Sequence, residues 1–490
     1  MSKTQIMLEK PSAVWVSNDK IKEKVDANYM HYRFIELLDI KMDDNSNHFE
    51  VKENGDLINT LTDYTANGSF ESLNKNVNYT NSLGIPFIRI KNMSENGLVL
   101  DDLKYIDTHT YNFLKKSKLE GNEILFSKTG ANLGLAMVFP YGFGKASLAD
   151  NIFKVEYKSE YDTHYIAAFI NCKFGKLWVE RLSQGSAQPT IIKDSFRQIK
   201  IPIPSSEIQK HIGDKVRRGE ELREEAKRLR EEAEEIINKL INLDSLIEKG
   251  KECTVISKWV DSINVRGRVD GQYYISPITE INKYMASTDV GLVSLKEVAK
   301  VGKGFSFSSD ENIEGIPYVR ISDLEDLLID YSEVVNTDYK TYQQKKNAQL
   351  KEYDLVMAIT GATIGKVSVF YSKEIEKATL SADTAYVRFN NPTDSIAYLL
   401  YLKTIIGQVS ITQGITGATN KHLAIEDIKN IILPKFDEKI KETVRNKIVQ
   451  SIDNIYNSKQ LIQEAKQDIE DLIEGKFDML KLNDTTTESR

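Results

Sequence analysis

Cysteine is nearly missing from this chain. Cys172 and Cys253 are the only two in 490 residues, and they stand far apart at no metal or redox spacing. That excludes a disulfide scaffold and a cysteine-based metal module. The six histidines form no H-x-x-x-H pair and no Cys/His cluster. No apolar run approaches the ~20 residues that a membrane-crossing helix needs. Met1 to Pro11 lacks the charged-then-apolar pattern of a leader. These absences lead us to expect a cytoplasmic protein of a reducing compartment, with no membrane partner and no bound metal. An excess of positive charge is missing too. Lys and Arg number 65 against 72 Asp and Glu, a net charge of −7, whereas nucleic-acid-binding domains are usually basic. A DNA partner is not thereby excluded. Residues 1–205 carry 25 basic and 25 acidic side chains, and a neutral domain can present a basic face.

Catalytic constellations are also absent. Gly361-Ala362-Thr363-Ile364-Gly365-Lys366 falls short of a phosphate loop, which needs four residues between the glycines and Ser or Thr after the lysine. Here there are three, followed by Val367, and the matching stretch from Gly130 to Gly134 has Leu135 in place of the lysine. Asp150, Asp383, Asp194 and Asp427 have no partner at nuclease or metal-ligand spacing and suit turns and helix caps. There is no Asn/Asp-Pro-Pro-Tyr/Phe tetrapeptide, no Gly-rich methyltransferase signature and no Ser/His/Asp set. We expect a non-catalytic chain that binds no cofactor itself.

What the chain does have is a repeat. Gly84-Ile85-Pro86-Phe87-Ile88-Arg89-Ile90 returns 231 positions later as Gly315-Ile316-Pro317-Tyr318-Val319-Arg320-Ile321. At the same offset, Glu123 to Phe126, Thr129-Gly130-Ala131, Gly134 and Val138-Phe139 return as Asp354 to Met357, Thr360-Gly361-Ala362, Gly365 and Val369-Phe370. Further on, Gln184-Gly185 answers Gln413-Gly414, and Pro204 answers Pro434. Short β-branched and aromatic segments, as at Phe87–Ile90, Ile124–Phe126 and Ile152–Val155, read as strands between turns. Helical spacing predicts a helix over Thr163 to Arg181 in the first copy and near Ser395 to Ile411 in the second. Asp43–Asn81 is polar and Asn-rich, and is expected to be a surface insertion of the first copy only.

After each copy comes a heptad pattern. The first runs Leu222, Ala226, Leu229, Ala233, Ile236, Leu240, Leu243 and Ile247, is capped by Ser205 or Ser206 and ends at Gly250. The second runs Val444, Ile448, Ile452, Ile455, Ile462, Ala465, Ile469 and Leu472 to Gly475, with Lys459 and Lys466 near the seam. About 45 helical residues would reach roughly 65 Å. Two such helices pack either on each other, antiparallel, or each on its own domain. The expectation is an α+β chain of two duplicated domains and two long helices in an antiparallel coiled coil with a pseudo-two-fold axis. Its parts are a first domain over 1–204, a helix over 205–250, a second domain over 251–434, a helix over 435–480 and a disordered tail over 481–490. That arrangement suits a ruler that reads two sites a fixed distance apart.

Lys, Arg, Gln, Asn and Thr are the residue types that contact phosphates and base edges. Near the glycine turns the first copy offers Lys128, Thr129, Lys145, Gln188 and Lys193. The second offers Lys303, Arg320, Thr360, Lys377, Thr419, Asn420 and Lys421. Singly each is an ordinary surface side chain, and as a set they are the DNA-contact candidates.

Lys24-Val25-Asp26-Ala27-Asn28-Tyr29 and Arg268 to Tyr274 open the copies, the first without the second aromatic of Tyr273-Tyr274. The Gly-Ile-Pro-Phe/Tyr and Thr-Gly-Ala-x-x-Gly motifs follow in order. Ile201-Pro202-Ile203-Pro204 and Ile431-Ile432-Leu433-Pro434, the latter with one proline, close the copies ahead of the helices. From about Lys24 to Phe477 the chain resembles the specificity subunit of a type I restriction-modification system. The resemblance implies two target recognition domains, each reading half of a split sequence in double-stranded DNA, and a coiled coil that fixes the gap. It implies docking of two methyltransferase subunits, which bind S-adenosylmethionine, and of restriction subunits that use ATP and Mg to translocate DNA, in defence against phage. The alternatives are a specificity subunit serving a fused methyltransferase–nuclease, and a coiled-coil scaffold that binds protein and shows no salt-sensitive DNA binding.

Overall fold

The computed structural model describes residues 48–484 apart from 82–83, 101, 186–187, 253–272, 274–276, 288–289, 308–313 and 418–419, together with Phe34, Leu37, Leu38 and Met42. The two opening motifs, Lys24–Tyr29 and Arg268–Tyr274, lie outside the described residues except for Tyr273. Residues 485–490 of the tail lie outside them too. The chain divides into two compact units, one made of Met1–Glu224 with Asn454–Arg490 and the other of Glu225–Asp453. The principal helices are α1 (Thr163–Asn171), α2 (Lys173–Leu182), α3 (Ser206–Leu240), α4 (Leu243–Glu252), α5 (Ser395–Lys403), α6 (Ile405–Thr412) and α7 (Glu438–Ile473). Each unit takes one half of α3 and one half of α7.

The first unit is built on a four-stranded antiparallel sheet in the order Ala136–Val138, Ile124–Ser127, Ile152–Tyr157, Ile58–Asp63. The second unit repeats it as Val367–Val369, Leu355–Ala358, Thr384–Phe389, Ala299–Lys303. Each unit has a further sheet in which the Gly-Ile-Pro strand lies parallel to a partner. Ile85–Ile88 pairs with Ala146–Leu148, and Ile316–Val319 with Thr379–Leu380. A third pairing joins Glu50–Glu53 to Lys200–Ile203 and Leu292–Ser294 to Ile432–Pro434.

The central strand Ile124–Ser127 is apolar up to its last residue, and its counterpart Leu355–Ala358 throughout, because both faces are covered. Successive side chains of a strand point to opposite faces. Ile124 and Phe126 enter the core shared with α1 and α2, while Leu125 enters the core of the further sheet. Leu355 and Met357 divide from Val356 and Ala358 in the same way. A buried carboxylate opens each central strand. Glu123 accepts the backbone N–H groups of Glu120 and Gly121, both at 2.7 Å, and lies 3.3 Å from the Lys154 ammonium. Asp354 accepts Lys351 N–H at 2.8 Å and hydrogen bonds from Arg388 Nε and Nη2, at 2.8 and 2.6 Å. Burial pushes the Asp354 carboxyl above its ordinary value despite Arg388.

Three sequence expectations need correction. Asp43–Asn81 is not a surface insertion confined to the first copy. Two of the strands it supplies, Glu50–Glu53 and Ile58–Asp63, have counterparts in the second copy, Leu292–Ser294 and Ala299–Lys303. Its polar residues are partly interior: Asn54 is fully buried, donates to Phe196 O at 3.0 Å and accepts from Tyr157 Oη at 2.9 Å. The expected helices over Thr163–Arg181 and Ser395–Ile411 are each two helices meeting at a corner, at Cys172 and Thr404. In the second copy the bend is 88°. Glycine just past the corner permits it, since a Cβ on Gly175 would lie 2.1 Å from Phe169 O and one on Gly407 would lie 2.3 Å from Tyr401 O.

The third correction concerns the heptads. The first long helix does not run unbroken to Gly250. It ends at Leu240, Asn242 takes a left-handed φ of 51°, and α4 begins at Leu243. Leu222, Ala226, Leu229 and Ala233 are buried as expected, but burial then shifts by one residue to Ile237 and Ile241. Ile236, Leu240 and Leu243 are only partly buried. In α7, Val444, Ile448, Ile452, Ile462, Ala465, Ile469 and Leu472 are buried, while Ile455 is partly exposed and Ser451 and Ser458 take buried positions. Ser205 caps α3, accepting from Ile208 N–H.

The two long helices touch within each unit, with numbers rising along α3 as they fall along α7. In the first unit the Lys215 ammonium meets Asp468 at 2.6 Å, and Ser458 Oγ donates to Gly219 O at 2.5 Å. In the second unit Ser451 Oγ donates to Ala226 O at 2.7 Å, and the Lys447 ammonium meets Glu232 at 2.5 Å. Side chain to backbone bonds of this kind require close approach, which small residues allow. A Cβ on Gly219 would already lie 3.2 Å from Ile462.

Two stability outcomes follow. Ser458→Leu overfills this contact and is expected to lower unfolding stability by about 1–3 kcal/mol, read by urea denaturation. Asp354→Ala strands the Arg388 charge and is expected to cost about 3 kcal/mol. The exposed pair Glu280–Lys283 at 3.0 Å serves as control, and Glu280→Ala should cost under about 0.5 kcal/mol. Equal costs for Asp354 and Glu280 would refute the structural role of the buried carboxylate.

Candidate nucleic-acid interface

Each central strand ends in the Thr-Gly-Ala loop, and a second loop from the far end of the copy docks beside it. In the first copy Thr129 bridges to Thr190, Gly130 N–H donates to Pro189 O at 3.3 Å and Ile191 N–H donates to Lys128 O at 2.9 Å. In the second copy Thr360 bridges to His422, Gly361 N–H donates to Lys421 O at 3.2 Å and Leu423 N–H donates to Ile359 O at 2.9 Å. These bonds align Thr190 with His422. The glycine matching Gly185 is therefore Gly417 rather than Gly414. Gly185 and Gly417 have φ of 92° and 88°, and each is the tight point of its docked loop. Gly130 and Gly361 have φ of 80° and 78°, with nothing within 4 Å of a Cβ built on either. Left-handed backbone, not lack of room, requires glycine there.

The structure separates the candidate residues into tethered and exposed. Lys128 and Lys193 converge on Asp63, at 3.1 and 3.0 Å, and Lys128 also lies 5.5 Å above the Phe153 ring. Asp63 is 4% exposed. Burial pushes its carboxyl up, but hydrogen bonds and charge from Lys193 and Lys128 outweigh this and hold it below the ordinary carboxylate value. Thr129 faces Pro189 O at 3.4 Å, and Thr360 donates to Asp383 at 2.8 Å. Arg320 is also engaged, with its guanidinium 3.2 Å from Glu333 O and 3.4 Å from Asp323. Lys145, Gln188, Lys303, Lys377, Asn420 and Lys421 are exposed, and Lys377 lies 5.7 Å over the Tyr339 ring. Thr419 lies outside the described residues.

Sheet register shows how the copies differ. Asp63 stands opposite Phe153, and Lys303 stands opposite Ala385 at the matching position. The counterpart of Lys128 is Ile359, fully buried. One copy therefore carries a tethered Asp–Lys–Lys cluster where the other carries a buried isoleucine and an exposed lysine. Lys145 and Lys377 are equivalent, each two residues ahead of the residue paired with the Gly-Ile-Pro strand, Ser147 and Thr379. Two residues of this region went unnoticed in the sequence. Asp63 sat inside the supposed insertion and had no local signal. Arg89 repeats Arg320 and could have been found from the repeat alone; its guanidinium holds Asp102. Among the described residues no group of three or more His, Cys, Asp or Glu could hold a metal, and no single helix is long and apolar enough to cross a membrane.

A comparison with curated proteins gave no match. Among solved structures, the chain is similar to a type I restriction-modification S subunit from M. genitalium, at 13% identity over 88% of this chain and 96% of that one, with a TM-score of 0.43. It is also similar to an HsdS subunit from Thermoanaerobacter tengcongensis, at 14% identity over 88% and 97% of the two chains, with a TM-score of 0.30. The family profile described as type I restriction modification DNA specificity domain matches twice, over residues 47–235 and 288–471. The two matches fall one on each copy of the repeat and together span most of the sequence, so the chain belongs to the type I restriction-modification DNA specificity family.

Proposed function

We propose that this chain selects the DNA target of a type I restriction-modification complex, each copy reading one half of a bipartite sequence. The observation that carries this is one fold present twice with different side chains at equivalent loop positions: Asp63 against Lys303, and Lys128 against Ile359. A single domain reading a few base pairs discriminates by only ~1–3 kcal/mol per pair. Two linked domains combine their discrimination, because the link makes the second contact intramolecular.

In this proposal α3 and α7 form an antiparallel coiled coil with pseudo-two-fold symmetry that sets the unread gap. Support comes from the descending register of their contacts, Lys215 with Asp468, Gly219 with Ser458, Ala226 with Ser451 and Glu232 with Lys447. Ser451 and Ser458 lie 232 positions after Gly219 and Ala226, so the two position pairs exchange under the repeat, although both bonds run from an α7 serine to an α3 carbonyl. The chain itself does no chemistry. Two methyltransferase subunits dock on it and bring S-adenosylmethionine, and restriction subunits bring ATP and Mg. The complex works in the cytoplasm on cellular and invading DNA. The exposed Lys145, Gln188, Lys303, Lys377, Asn420 and Lys421 contact DNA directly, and Thr419 does so from the same loop as Asn420. Lys128, Thr129, Lys193, Arg320 and Thr360 hold the loops in place.

The deciding experiment maps adenine methylation across a genome that expresses this chain with its methyltransferase partner. A two-part motif with a fixed gap, lost when this chain is deleted, is expected. An unchanged methylation pattern on deletion would overturn the proposal. Removing one heptad from each of α3 and α7 shortens the pair by roughly 10 Å, or about three base pairs of rise. The gap should change or methylation should disappear, and an unchanged gap would exclude a spacer role. Lys145→Ala should weaken DNA binding by the complex and reduce its salt slope by about one. Lys128→Ala should instead lower unfolding stability, since it leaves Asp63 partly uncompensated.

A further inference from the structure

Each unit is fastened to the long helices at two carboxylates, and the pattern is the same in both. The first carboxylate stands at the N-terminus of the leading core helix. Asp162 caps α1 and holds Arg217 of α3 at 2.9 Å. Asp394 stands at the N-terminus of α5 and holds Lys441 of α7 at 2.7 Å. In both cases the helix gripped is the one that follows that copy in sequence.

The second carboxylate sits on a small hairpin and grips the other helix. Glu95 lies between the paired strands Met93–Ser94 and Gly97–Leu98. It meets Lys176 at 2.5 Å and Lys466 of α7 at 3.0 Å. Asp326 lies between the bridged residues Leu324 and Ile329. It meets Lys403 at 2.5 Å and also Arg230 of α3. Glu95 and Asp326 are exact counterparts at the 231-residue offset, but their cations are not. At the offset of 232 that relates the helices, Lys466 corresponds to Glu234 and Arg230 to Ile462, while Lys176 corresponds to Gln408 and Lys403 to Asn171. The same clamp is therefore built twice from different positions, which inheritance by duplication alone does not explain.

We infer that Glu95 and Asp326 are orientation latches, which tie each recognition domain to the helix of the opposite copy and so fix the gap between half-sites. The proposal rests on the function proposed above. Apolar residues of α3 and α7 already pack into the core of each unit, and the latch adds to this non-directional burial a directional charged contact on the helix of the opposite copy. Burial pushes both carboxyls up, but the paired cations outweigh it and hold both below the ordinary value, so both are charged at neutral pH. Pairs as partly exposed as these add little stability, which leaves alignment as their effect.

The test is methylation mapping with the whole complex carrying Lys466→Gln and Arg230→Gln together. The wild type should show one gap length. The variant should keep both half-sites but methylate targets with a gap one base pair longer or shorter about fivefold more often, the change expected from loss of weak ion pairs. A variant with the wild-type gap and undiminished methylation would overturn the latch. Should the variant lose methylation altogether, Glu95→Lys with Lys466→Glu decides: recovery of the motif relative to Glu95→Lys alone supports the latch, and no recovery overturns it. A wild type without any two-part motif would overturn the proposed function itself, a result distinct from a rigid gap in the variant.

Discussion

Burial of one strand on both faces organises each unit. Ile124–Ser127 and Leu355–Ala358 must satisfy a helical core on one side and a sheet core on the other. That requirement fixes their largely apolar composition, the helix pair that turns a corner over them and the mixed sheet beneath. It also fixes where the chain emerges. The strand ends at the left-handed glycine of the Thr-Gly-Ala loop, so the loop is presented at the same place in both copies whatever side chains surround it. The buried carboxylates Glu123 and Asp354 anchor the other end of the strand through turn N–H groups and a cation from the neighbouring strand.

A scaffold of that kind lets loop chemistry change without changing loop position. At one point of the sheet edge the first copy spends two lysines on Asp63, and the second copy presents Lys303 to solvent. The net charge of −7 thus says little about the exposed face of either domain, because many cations and anions cancel in place. Among the described residues of the loops, a small set of lysines and amides stands exposed.

Helix contacts follow the same economy of shape. Gly219 and Ala226 let Ser458 and Ser451 reach backbone carbonyls, where larger residues would hold the helices apart. Two carboxylates per unit then meet the helices from the side, one on each helix. Apolar residues of the long helices bury surface and supply stability, while the Asp326–Arg230 pair is too exposed to add much and, in the latch proposed above, acts on direction.

The repeat, its motif order and the two long helices were all visible in the sequence, because duplication leaves identical spacings and a heptad seam leaves a period. Burial on one face of a helix has a local signature, so Val444, Ile448, Ala226 and Ala233 could be named in advance. Pairing between distant strands has none. Glu50–Glu53 and Ile58–Asp63 looked like a polar insertion because their neighbours are asparagines, and only their partners Lys200–Ile203 and Ile152–Tyr157 make them core. The corners at Cys172 and Thr404 were hidden by an apolar period that continues through them, and the shift from Ile236 to Ile237 by what α3 meets rather than by its own pattern. The sequence by itself determined that one fold occurs twice with a helix after each copy. Tertiary structure alone decided which lysines are spent on buried acids, which stand exposed, and which carboxylates reach the opposite helix, since those outcomes depend on distances between residues far apart in the chain.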